Sequence, residues 1–158
     1  MEAQEKGQSS AFDFSTVKAY RDTKQNGTVV NDYYDVLTAT QMQALSSQLV
    51  TYADETTRQI VIVTVNDIAT YTNIQEFGSD LANYWGVGNA EKDNGLLIVL
   101  CNPERKIAIC TGYGTEQKIS DPYCKEVIDS IMIPQFKNGD FYTGIQEGVN
   151  ALIKKWDE

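Results

Sequence analysis

The residues of this chain best suited to chemistry are carboxylates, one amide and a set of glycines. They cluster between Trp85 and Asp121: Gly86 and Gly88, Asp93-Asn94-Gly95, Gly112-Tyr113-Gly114, Glu116 and Asp121. Oxygen-bearing side chains beside bared backbone carbonyls are the donor set of a hard cation such as calcium or magnesium. Glycine amides and a helix N-terminus suit an anion once a cation has neutralised the acids. Each piece also has a plainer use: Asp-Asn-Gly as a turn, Gly112 and Gly114 as positions of positive φ, Asp121 as a helix cap.

Composition removes many alternatives. The 158 residues carry a formal charge of −9 and no histidine. A Ser-His-Asp triad, a Cys-His pair, a phosphohistidine and a His-ligated zinc are therefore excluded. The negative field repels phosphate backbones, so nucleic acid is not expected as a partner, whereas cations and basic proteins are; solubility alone is the plainer account of the charge. Cys101, Cys110 and Cys124 are odd in number and lack Cys-x-x-Cys spacing, which argues against zinc and against a disulfide framework and for buried thiols. No segment reaches the roughly 18 apolar residues of a membrane span. The opening Met1-Glu2-Ala3-Gln4-Glu5-Lys6 reads as a start placed just after a removed export signal.

The elements that must position these residues follow from periodicity. Residues 1–28, polar with sparse aromatics at Phe12, Phe14 and Tyr20, read as a mostly mobile N-terminal arm that those aromatics could dock on the core, and one domain occupies 29–158. Thr38 and Gln41 form a capping box, with Leu37 and Met42 as its hydrophobic staple, at the start of a helix over about 39–55. Ile60 to Val65 is a continuous β-branched run, the pattern of a strand buried on both faces. A second helix carries Ile74, Phe77, Leu81 and Trp85 and stops at Gly86. Leu96–Leu100 and Ile107–Cys110 are joined too tightly for a crossover and form an antiparallel hairpin. Asp121 as N-cap with Pro122 opens a third helix that Pro134 ends or kinks, and Gly139-Asp140 opens the last. Helices alternating with strands fold most simply as an α/β, three-layer α/β/α sandwich around a small mixed sheet.

The hairpin brings Lys92-Asp93-Asn94-Gly95 beside Thr111-Gly112-Tyr113-Gly114, with the second helix ending and the third beginning nearby. Asp32 falls at the opposite end of the sheet, and Asp140 follows it; both read first as local caps. The neighbouring templates fail. An EF-hand with Gly95 as its sixth residue would need ligands where Ala90, Lys92 and Cys101 stand, and neither Gly-x-Gly pair has the third glycine of a dinucleotide fingerprint.

Together, Val30-Asn31-Asp32, Trp85-Gly86-Val87-Gly88, Lys92-Asp93-Asn94-Gly95-Leu96-Leu97, Gly112-Tyr113-Gly114 with Glu116 and Asp121, Ile133-Pro134-Gln135-Phe136 and Gly139-Asp140-Phe141 resemble the TPM domain family, over essentially Val30 to Trp156. The resemblance implies a divalent-cation site, calcium most often, and export to the periplasm or to a membrane anchor outside the cytoplasm. In a plant thylakoid-lumen member it also implies acid phosphatase activity. On this chain, Asp93, Asn94 and Asp121 would hold the ion, Glu116, with Asp93, would take the proton from metal-activated water, and Gly112, Tyr113 and Gly114 would receive the anion. Gly88, Asp32 and Asp140 are weaker candidates. The alternative is a non-catalytic interaction module for envelope or membrane proteins, with the ion as a structural clamp.

Overall fold

The β-branched run at residues 60–65 lies in a central strand of a four-stranded mixed sheet ordered β1-β2-β3-β4. In the computed structural model, which describes residues 12–26, 28–88, 91–101 and 105–158, these strands are Val30–Asp32 (β1), Gln59–Val65 (β2), Gly95–Cys101 (β3) and Lys106–Thr111 (β4). β1 and β3 run parallel to β2, and β4 returns antiparallel to β3 as the expected hairpin. β1 was not expected as a strand: it is three residues long and two of them are polar.

Helices cover both faces: Lys18–Asn26 (α1), Ala39–Thr56 (α2), Ile74–Trp85 (α3), Tyr113–Glu116 (α4), Asp121–Val127 (α5), Ile133–Lys137 (α6) and Phe141–Asp157 (α7). Alternate strand residues point to opposite sides of the sheet. Ile60, Ile62, Leu96 and Ile98 pack under Leu45 and Leu49 of α2, Val127 of α5 and Val149 and Leu152 of α7. Val61, Val63, Leu97 and Val99 pack under Phe77 and Leu81 of α3. Two cores on one sheet make the α/β/α sandwich.

Local chemistry sets the boundaries. Thr38 Oγ1 accepts from the Gln41 amide and the Gln41 side chain accepts from the Thr38 amide, completing the capping box of α2. Gly86, at φ 69°, closes α3 in the left-handed conformation. Asp121 is not the N-cap of α5: Ser120 holds that place and accepts from the Tyr123 amide, so Asp121 and Pro122 are the first helical residues. Pro134, which has no N–H, neither ends nor breaks the helix. The chain widens into a π turn over Ile128–Met132 and continues as α6.

From Phe12 onward the aromatics of the N-terminal stretch dock it on the core. Asp13 caps a 3₁₀ turn at Phe14–Thr16, and Phe14 is buried against the rings of Tyr20, Tyr71, Phe77 and Tyr84. Trp85 Nε1 donates to the Tyr20 carbonyl at 2.6 Å and the Tyr33 hydroxyl to the Ala19 carbonyl at 3.0 Å. Aromatic burial, worth about 2 kcal/mol for one such side chain, outweighs the polar composition around it. Residues 1–11 lie outside the described residues.

Candidate functional site

Connectivity brings three loops to the end of the sheet where β2 and β3 begin and β4 finishes. The glycines there serve packing of backbone on backbone. A Cβ on Gly114 would overlap the Lys92 carbonyl, one on Gly112 the Asp93 carbonyl, and one on Gly95 the Val87 carbonyl, while Gly88, at φ 93°, lies against Gly95. Side chains are therefore excluded at all four positions.

Their hydrogen bonds close the same weave. The Gly112 amide donates to the Gly95 carbonyl at 3.0 Å, and the amides of Gly114 and Thr115 both donate to the Asp93 carbonyl, at 2.9 and 3.2 Å. The fully buried Thr115 hydroxyl adds a 2.8 Å bond to the Gly95 carbonyl. The amide-rich start of α4 thus holds a carbonyl of this chain, and the Gly112 and Gly114 amides are already engaged. Thr115 was missed in the sequence; its signal was a small hydroxyl residue between Gly114 and Glu116.

Asn94 is buried, and its side-chain amide donates to the Thr57 carbonyl at 2.9 Å and to Thr57 Oγ1 at 3.1 Å. That ties the loop to the C-terminus of α2. Asp93 differs: with φ at 48°, it is exposed, and with Glu116 it lines a cavity of about 340 Å³. Ser79 and Asn83 of α3 complete the polar wall, and Tyr113, 77% exposed, stands at its side. The sequence offered no sign of Ser79 or Asn83 beyond their place on the turns before Gly86.

Asp121 does not join them. It lines a separate cavity along β4, together with Arg105, Lys106 and Lys125. Among the described residues no three Asp, Glu, Cys or His side chains converge as a metal-binding group. Of the predicted ligands, Asp93 lies with Glu116 on the loop-end cavity, Asp121 on the other cavity, and the Asn94 side-chain amide is engaged with Thr57.

The acids at the other end are local. Asp32 accepts from the amides of Val36 and Leu37, at 3.1 and 2.8 Å, and from the Thr64 hydroxyl at 2.6 Å. Asp140 caps α7 through the Thr143 amide at 3.0 Å, and that backbone bond holds its carboxyl below the ordinary range. All three cysteines are buried thiols. Burial pushes the Cys110 and Cys124 thiols up to about 12, so both remain protonated at neutral pH.

The model of the TPM domain family matches residues 30–155. The chain belongs to the TPM domain family. Its fold is similar to the solution structure of the N-terminal domain of a Porphyromonas gingivalis protein ("P.gingivalis"), at 30% identity and TM-score 0.77 over 85% of this chain and 87% of that one. It is also similar to the N-terminal domain of a Corynebacterium glutamicum protein, at 14% identity and TM-score 0.56 over 73% of this chain and 71% of that one, a likeness of fold alone. No curated protein matches the chain. In the TPM domain described above, no helix among the described residues is long and apolar enough to cross a membrane.

Proposed function

We propose that this TPM domain is a non-catalytic binding module whose end-of-sheet cavity receives a divalent cation, calcium or magnesium, or a cationic group of a partner protein. The observation that carries the reading is the arrangement around that cavity: the backbone of the three loops is closed on itself, while the Asp93 and Glu116 carboxylates line the wall. Two carboxylates on a chain of net charge −9 favour a cation. They support weak, readily exchanged contact rather than a dedicated cage of six to eight oxygens.

Metal-assisted hydrolysis of phosphate esters is the second reading, and it needs Asp93 and Asp121 to share one ion. Their placement in different cavities speaks against it. A protein of the cell envelope, outside the cytoplasm, is the proposed setting, supported by the family resemblance.

Calcium titration followed by backbone amide shifts tests the cation. Movement of Asp93, Tyr113 and Glu116 at millimolar calcium is expected, and it disappears in the Asp93→Asn, Glu116→Gln double variant. An aryl phosphate assay, expected to stay at the blank, tests the chemistry. Turnover that is abolished by Asp93→Asn would overturn the non-catalytic reading.

A further inference from the structure

β4 is an outer strand of the sheet, and its free side opens on a groove of about 620 Å³. The register fixes which groups face it. The Gly112 amide bonds to Gly95, so at alternate positions Cys110 and Ala108 turn their backbone groups to β3, and Ile109 and Ile107 turn theirs outward. The outward Ile109 carbonyl accepts instead from Gln75 Nε2 at 3.2 Å. Gln75 is an exposed side chain at the start of α3, a guard of the kind that natural sheets place on open edges.

The far wall of the groove is apolar, made by Cys124, Ile128 and Ile133. Its charge sets it apart. The cavity beside Val50 is lined by the acid Asp54 and the loop-end cavity by Asp93 and Glu116, neither with a Lys or Arg among the described residues, whereas this groove carries Arg105, Lys106 and Lys125 against Asp121 and Asp129. Lys125 is paired with Asp129 at 2.9 Å, and Arg105 is exposed with no ion-pair partner among the described residues. α3 and α5 flank the strand on both sides. A slim extended chain fits between them better than a second copy, whose own β4 is recessed in the same way.

We propose that the β4 edge binds an extended segment of a partner protein by strand addition. Its main chain pairs with Ile107 and Ile109, alternate apolar side chains rest on Cys124 and Ile128, and an acidic residue meets Arg105. Strand addition takes affinity from main-chain bonds and specificity from alternate side chains. The site is separate from the loop-end cavity, and neither depends on the other.

The probe is an acetylated peptide of two aspartates followed by alternating valine and threonine, titrated against labelled protein. The Ile107, Ile109 and Cys124 amides are expected to shift while those of Asp93 and Glu116 stay in place. Gln75→Ala, which uncovers the Ile109 carbonyl, should tighten binding about fivefold, and Arg105→Glu should weaken it about threefold. Both substituted residues are exposed, so the variants fold. The proposal is overturned if β4 amides do not move at millimolar peptide, or if the peptide methylated on alternate backbone nitrogens binds equally well. It is also overturned if the free protein sediments as a dimer whose β4 amides are protected.

Discussion

At the end of β1, the Asp32 carboxylate accepts two backbone amides and the Thr64 hydroxyl, while the neighbouring Asn31 amide donates to the Thr28 and Ile62 carbonyls. At the opposite end of the sheet the backbone does that work: Asp93 is held by its own carbonyl, through the Gly114 and Thr115 amides, and its carboxylate stays exposed on a cavity wall. Both ends carry an Asp beside an Asn in a family motif. Only the hydrogen bonds tell them apart. Where the side chain holds the loop, the acid is structural; where glycines and carbonyls hold the loop, the acid remains available for a ligand.

That contrast is broken most severely at the glycines. Gly114→Ala drives a methyl group into the Lys92 carbonyl, which is fixed backbone rather than a yielding side chain, and a loss of about 3 kcal/mol is expected in urea unfolding. Gly86→Ala, where nothing lies within 4 Å and only the positive φ is strained, should lose about 1 kcal/mol. Equal losses at the two positions would mean that the loops are not packed backbone on backbone. Asp32→Ala comes next, at about 2 kcal/mol, because it strips partners from the Val36 and Leu37 amides and from Thr64.

Much of this architecture was legible in the sequence wherever the cause was local. The Thr38–Gln41 capping box, the β-branched run in β2 and the tight hairpin all act within a few residues. The misses share the opposite property. β1 is recognisable as a strand only through its pairing of Val30 with Ile62, and the rings that order Phe14 include Tyr71 and Phe77, more than fifty residues away. Hairpin geometry correctly brought the Asp93 and Gly112 loops together. It could not place Asp121, because the α4 turn and the buried Ile119 intervene and α5 then runs along the β4 groove.

Asp140 offers a smaller test with a pH signature. Its folded-state carboxyl is held low by the Thr143 amide, so its contribution is fully present above the ordinary value of 3.8 and fades as pH falls through the depressed one. Asp140→Asn should therefore lower the thermal midpoint at neutral pH and converge with the parent protein in that acid window. A difference that persists unchanged into strong acid would assign the loss to altered packing instead.

The least disturbance is expected from Asp93→Asn combined with Glu116→Gln. Both carboxylates are exposed, and the loops that carry them are held by backbone bonds, so unfolding midpoints should stay within about 0.5 kcal/mol of the parent. The same pair should lose the calcium-dependent amide shifts. A large stability loss would put Asp93 in the same structural class as Asp32, and the two ends of the sheet would then differ only in which atoms build the turn. Stability retained with calcium response removed would instead mark the loop end as the part of the fold left free for binding.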